Sequence, residues 1–208
     1  MPTKIMDLEP KRRDAILNSA LKEFALKGFD KASTNVIAKE AGISKALMFH
    51  YVSSKQELFL IVYDYFSELL NKEYFMKIGF AERDIFERLR QSYLLQIELA
   101  KEYPWVFEFN KLSIPTSSVE VNKEFEERAR KKQPSCNNPI FEMIDESKFR
   151  AGLDIEKCKQ IIFWANVGFT NQLLDEIRNS EYSSLDYDSI IYRLDDFFEE
   201  LRNIFYNS

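Results

Sequence analysis

One run, Ser33 to Lys55, constrains this chain more than any other: Ser-Thr-Asn-Val-Ile-Ala-Lys-Glu-Ala-Gly-Ile-Ser-Lys-Ala-Leu-Met-Phe-His-Tyr-Val-Ser-Ser-Lys. It reads as two short helices joined by a tight turn. Ser33 and Ser44 are N-caps, residues whose hydroxyls accept from the free amides of the next turn. Ile37 and Ala41 lie one turn apart and share a face, and Ala38 is small where two helices must cross closely. Gly42 falls where the turn requires a left-handed backbone, a conformation that costs glycine little. Ile43 plugs the turn, and Met48 and Tyr51 are spaced to bury against the first helix. Taken jointly, the spacing of Ala38, Gly42, Ile43, Met48 and Tyr51 predicts a helix-turn-helix, the unit that sets a helix into the DNA major groove. An ordinary helical hairpin packed in a core is the alternative.

The flanks extend the pattern. Pro10 suits the first turn of a helix, and Ile16, Leu17, Ala20, Leu21 and Phe24 give that helix an apolar stripe. Gly28 stops it, with Phe29 placed to fold back on Phe24. Downstream, Ser54-Lys-Gln-Glu57 is a capping box that opens another helix.

Residues Lys11 to about Leu70 resemble the DNA-binding domain of the tetracycline-repressor (TetR) family of bacterial transcription regulators. The resemblance is carried by Ile16, Ala20, Phe24, Gly28, Phe29, Ile37, Ala38, Ala41, Gly42, Ile43, Ser44, Phe49, His50, Tyr51, Lys55, Glu57 and Leu58. It implies an all-α fold, with an N-terminal three-helix helix-turn-helix domain and a C-terminal helical domain for ligand binding and dimerisation. The expected boundaries are 1–53 and 54–208, the helix from 54 being the connector. It further implies a homodimeric repressor of double-stranded operator DNA, released by a small-molecule effector. By motif position, Lys45, Ala46 and Leu47 face base edges, while Ser33, Ser44, His50, Tyr51 and Lys55 hold phosphates. Three positions depart from the family pattern. Val36 stands where an acidic residue completes a capping box with Ser33, Ala46 where glycine is common, and Leu47 where a hydroxyl residue often meets DNA. Leu47 cannot hydrogen-bond a base edge but fits a thymine methyl.

Net charge is -5 over 208 residues, which by itself argues against DNA binding. The average misleads. Residues 1–60 hold ten Lys and Arg against seven Asp and Glu, a net +3, and the remainder holds 19 against 27, a net -8. Positive charge lies with the motif, and the acidic part is expected to point away from DNA. The cluster Lys11, Arg12, Arg13 reads equally as a solvated helix start or as a track along neighbouring phosphates.

No apolar run is long enough to span a membrane, and Met-Pro-Thr-Lys-Ile-Met-Asp at the N-terminus lacks the apolar core of a signal peptide. The two cysteines, Cys136 and Cys158, lack metal-type spacing. A reduced, cytoplasmic setting is expected, without a metal or other cofactor.

Beyond the motif the pattern predicts helices over about 54–77, 84–102, 119–132, 141–149, 155–179 and 185–205. Tyr103-Pro104 stops the second of these, and the aromatic segment Trp105–Phe109 follows it. Loops are expected at 113–118 and 134–139. The helix from about Ile155 is apolar nearly all round, with Cys158, Ile161, Ile162, Ala165, Phe169 and Leu173 on one stripe and Phe163, Trp164, Val167 and Leu174 on another. A helix of this kind is buried on both sides. Paired across a two-fold axis with the last helix, it predicts a four-helix dimer interface of Ile161, Ile162, Ala165, Gly168, Phe169, Leu194, Phe197, Phe198 and Leu201. Aromatics make up 14% of the chain, and Tyr93, Trp105, Phe107, Phe109, Phe163 and Trp164 are candidates to line an apolar cavity. Asn110 and Asn166 would orient an apolar or aromatic effector there; a plainly filled core is the other reading.

An enzyme on a helical fold finds little support, since the sequence has no phosphate-cradling glycine loop and no nucleophile elbow. Its single histidine already belongs to the motif. A helical small-molecule carrier with a silent DNA-binding domain is the remaining alternative.

Overall fold

The computed structural model describes residues 4–79, 81–110, 116–132, 139–179 and 186–207. Among these the regular elements are helices: α1 (Pro10–Lys31), α2 (Thr34–Glu40), α3 (Lys45–Tyr51), α4 (Lys55–Leu70), α5 (Ile85–Glu102), α6 (Val106–Asn110), α7 (Val119–Lys132), α8 (Ile155–Asn179) and α9 (Tyr187–Phe205). The all-α class is as expected. The chain forms two compact units, Met1–Lys72 with Glu102–Cys136, and Glu73–Lys101 with Asn137–Ser208.

The first unit is built round α1. Its predicted stripe, Ile16, Leu17, Ala20, Leu21 and Phe24, is wholly buried, with Ile37, Met48, Leu58 and Phe59 against it. Gly28 adopts φ 67, and the chain bends there. Phe29 returns to stack on Phe24 at 6.4 Å, and the edge of Phe59 meets both rings, at 5.1 and 5.3 Å. Phe109 of α6 and Phe125 of α7 join the same ring cluster through Phe59. Each such pair contributes on the order of 1 kcal/mol beyond its burial.

The second unit packs α5, α8 and α9. Ile85, Phe86, Leu89 and Tyr93 meet Cys158, Ile162 and Leu173 and the α9 row Ile190, Leu194, Phe198, Leu201 and Phe205. Asp84 caps α5, its Oδ1 accepting from the amides of Phe86 (2.9 Å) and Glu87 (3.2 Å). The other carboxylate oxygen accepts from Lys148 Nζ at 2.7 Å and Arg202 at 3.2 Å.

Three expectations change. The helix from 54 ends at Leu70 and continues as a π-turn over Asn71–Phe75; there the Tyr74 hydroxyl bonds Ser92 and Gln96 of α5. No helix covers 141–149. Two short 3-10 turns, Pro139–Phe141 and Glu146–Lys148, stand there, and Phe149 forms an antiparallel bridge with Tyr206. The cause is Arg88, buried completely, whose guanidinium donates to the carbonyls of Ile140 (2.9 Å) and Glu142 (2.7 Å). Those carbonyls are the acceptors that a helical ladder would need. Finally, α9 opens at Tyr187, with Asp186 as its N-cap accepting from Ser189 at 3.1 Å. The expected loop positions 113–115 and 134–138, Cys136 and Leu185 lie outside the described residues.

Candidate nucleic-acid interface

The turn between α2 and α3 has the predicted construction. Gly42 is left-handed at φ 69. The Ile43 amide donates back to Ala38 O at 3.0 Å and the Gly42 amide to Lys39 O at 3.1 Å, the paired bonds of a Schellman motif. Ser44 caps α3 by accepting from the Leu47 amide at 3.1 Å. Met48 is wholly buried and Tyr51 is 9% exposed, so one side of α3 is pinned to the core. The opposite side presents Lys45, Ala46, Phe49 and His50, all exposed, with Leu47 half-buried at its edge. The Lys45 ammonium lies over the Phe49 ring at 5.9 Å. Sequence reasoning did not place Phe49 on this face; a spacing of four residues from Lys45 carries that signal.

Of the expected phosphate contacts, Ser44 and His50 are exposed and Ser33 is half-buried. The His50 ring meets the Tyr51 ring edge-on at 5.8 Å. Lys55 is differently employed. Its ammonium donates to the carbonyls of Asp30 (3.1 Å) and Ala32 (3.2 Å) and covers the Phe29 ring at 4.7 Å. It fastens the start of α4 to the end of α1. Ser54 accepts from the Glu57 amide at 3.0 Å as predicted, but Glu57 turns its own carboxylate to the amide and hydroxyl of Ser53. Those two bonds, hydroxyl first, hold the Glu57 carboxyl below the usual range against the opposing effect of burial.

An exposed helix face joined to a buried one by a Schellman turn, with basic residues outward, is a DNA-reading construction. Residues 16–62 match the family model for bacterial regulatory proteins of the tetR family.

Over this domain the chain is similar to the TetR family.

Among curated relatives, it is 43% identical over 53 residues to the HTH-type transcriptional regulator BetI of Agrobacterium fabrum, and that alignment spans only about a quarter (26%) of either chain. It is 21% identical over 154 residues to the fatty acid metabolism regulator protein of Bacillus subtilis, covering 71% of this chain and 76% of that one. Two solved structures share the fold across nearly the whole length. The ketosteroid transcriptional regulator KstR2 of Mycobacterium tuberculosis has TM-score 0.61 at 16% identity, covering 97% of each chain. A TetR family regulator from Chloroflexus aurantiacus has TM-score 0.58 at 16% identity, covering 98% of this chain and 97% of that one.

The residues expected to bind an effector fall in both units. In the first, Phe109 is buried against Phe59 at 5.7 Å, Trp105 and Phe107 are half-buried, and Asn110 ends α6. In the second, the Tyr93 hydroxyl bonds Thr170 Oγ1 at 2.5 Å and donates to Asn166 O at 3.1 Å. Burial pushes its phenol up to about 12, with the Thr170 bond opposing. The rings of Phe169 and Phe198 close on Tyr93 at 5.8 and 5.9 Å. Asn166 Oδ1 is buried with no hydrogen-bond partner among the described residues. Phe163 and Trp164 are elsewhere: they are 40% and 59% exposed on the outer face of α8. The helix turns Cys158, Ile162 and Leu173 inward, which leaves Phe163, Trp164 and Val167 of the second stripe outside, while Leu174 of that stripe is buried.

The same rotation divides the expected dimer residues. Ile162, Leu194, Phe198 and Leu201 are buried within their own chain, and Phe169 stacks on Phe197 at 4.6 Å. Ala165 is half-buried, while Ile161 and Gly168 are exposed beside Phe163, Trp164 and Val167.

Proposed function

We propose that this chain is a ligand-responsive repressor that binds a palindromic operator as a homodimer. The α3 face carries the reading: Lys45, Ala46, Phe49 and His50 point outward from a helix whose other side is locked by Met48 and Tyr51. Lys45, Ala46 and Leu47 read base edges, and Ser33, Ser44 and His50 hold phosphates; Tyr51 adds its hydroxyl. Lys55 is left out, because its donors are already engaged by carbonyls of α1. The DNA-binding domain is taken as 1–53, with α4 as its connector.

Two copies meet through the outer face of α8. Ile161, Phe163, Trp164 and Val167 are between 39% and 59% exposed there, and Gly168 allows close approach. A contiguous apolar patch on a soluble chain marks an interface. Two α3 helices, one helical turn or about 34 Å apart, then fit successive major grooves.

A small apolar or aromatic effector is the proposed release signal. Its site is centred on Tyr93 and Asn166, where a buried acceptor stands beside apolar rings. The fatty acid metabolism regulator aligned over 71% of this chain makes acyl compounds the first class to try. The effector must prefer the conformation whose helices do not match the grooves.

The test is selection of random duplex DNA on the purified chain, repeated across a salt series and then with fatty acids, acyl-CoA and aromatic acids added. Recovery of a palindromic site, bound steeply less at high salt and released by one ligand class, is the expected result. Weak, sequence-blind binding in every condition would sink the reading.

A further inference from the structure

The α2 helix lacks the acid that its own sequence should supply. In a capping box the third residue of the helix returns a carboxylate to the N-cap amide, and here that residue is Val36. The Ser33 hydroxyl receives the Val36 amide only at 3.5 Å, the longest of the three serine caps in this domain; Ser44 and Ser54 accept at 3.1 and 3.0 Å. The missing half of the box comes from another helix. Glu23 of α1, 8% exposed, accepts from the Ser33 amide at 2.9 Å. A carboxylate bonded to a backbone amide is among the stronger hydrogen bonds. The neighbouring Lys22 reaches the other end of α2, meeting Glu40 at 3.0 Å. Two consecutive residues of α1 thus hold both ends of α2.

We infer that Glu23 is a positioning residue for DNA recognition, supplying across helices the N-terminal acid that Val36 cannot. This rests on the DNA-binding reading above. The bond fixes where the Ser33 hydroxyl stands. The Schellman turn at Gly42 then carries that placement to Lys45, Ala46 and Leu47 on α3. Glu23 touches no DNA in this account; it acts through Ser33.

Position 36 offers a suppressor. Val36 is 40% exposed at the third position of α2, so Val36→Glu rebuilds the box within α2 itself. The measurements are amide hydrogen exchange at Ser33 in the full-length chain, and affinity for a duplex selected on the wild-type chain from a random pool. Glu23→Leu is expected to raise Ser33 exchange about tenfold and to weaken DNA binding about fivefold, with the salt slope unchanged. Glu23→Gln keeps an acceptor and stays within about threefold of wild type. In the Glu23→Leu, Val36→Glu double variant, Ser33 protection returns. Its binding exceeds the product of the single effects by about fivefold, the coupling that a double-mutant cycle isolates. A Ser33 amide equally protected in Glu23→Leu overturns the inference. So do independent, multiplying effects at positions 23 and 36, or a Glu23→Gln loss as large as that of Glu23→Leu. Unaltered DNA affinity despite lost protection overturns the positioning role itself. Should the wild-type chain select no duplex, the DNA reading fails while the exchange measurement still decides whether Glu23 caps α2.

Discussion

The ammonium of Lys55 lies 3.1 Å from the backbone carbonyl of Asp30, so a side chain from the first turn of α4 closes the last turn of α1. The Asp30 carboxylate in turn accepts from the hydroxyl and amide of Ser117, and those bonds hold its carboxyl below the usual range. A lysine engaged in this way is a fastening inside the protein. Lys55→Met is therefore expected to lower unfolding free energy by about 1 kcal/mol. It should leave the salt slope of DNA binding unchanged, whereas losing a phosphate-bound lysine reduces that slope by about 1. Denaturant melts and a salt series on the same variant separate the two roles.

In the proposed function Leu47 offers a base edge methyl groups and no hydrogen bond. Leu47→Ala is expected to relax preference at one base pair of each half-site by about 1 kcal/mol, other positions being unaffected. Repeating the random-duplex selection on the variant reads this directly; equal loss at every base pair would assign Leu47 to backbone contact.

Trp164, at 59% exposure, is the most exposed of the large apolar side chains on the outer face of α8. Trp164→Glu places a charge there without touching the core of its own chain. Sedimentation should show dimers for the wild type and monomers for the variant, and binding to a full palindrome should fall to that of a half-site. Dimers that persist would move the interface to another surface.

Asp84 is one acid-sensitive point of the second unit, and the buried one. Burial alone would raise its carboxyl, but bonds from Lys148, the Glu87 amide and Arg202 outweigh it and the net shift is downward. A carboxyl lower in the folded than in the unfolded state stabilises above its unfolded value, about 3.9, and loses that contribution as pH falls through the folded value. Asp84→Asn should cost about 2 kcal/mol at neutral pH, discounted because both cations are partly solvated. The variant should also show a flatter fall of stability on the acid side. Urea melts from pH 7 to 3 test both.

Much of the first 60 residues was legible, because the devices read there are local. Gly42 takes the left-handed backbone expected of it, the helix breaks at Gly28, and Phe29 returns to Phe24. What escaped the sequence is non-local. Nothing near Val36 announces that Glu23, ten residues before Ser33, completes its cap. Nothing in 139–149 announces that Arg88, 52 residues before Ile140, unmakes a helix there. On α8 the two apolar stripes were visible, yet periodicity does not say which one meets the chain's own core. Only the packing of Ile162 and Leu173 against α5 and α9 decides that.

Arg88 grips the backbone carbonyls of Ile140 and Glu142, and every amino acid offers the same carbonyl. These bonds therefore hold the length of the segment around Ile140 and Glu142, while its letters are constrained only where Ile140 and Ile144 enter the core. Among descendants of this gene the expected trace is a constant arginine facing a stretch that keeps apolar residues at 140 and 144, changes at its exposed positions and takes no insertions.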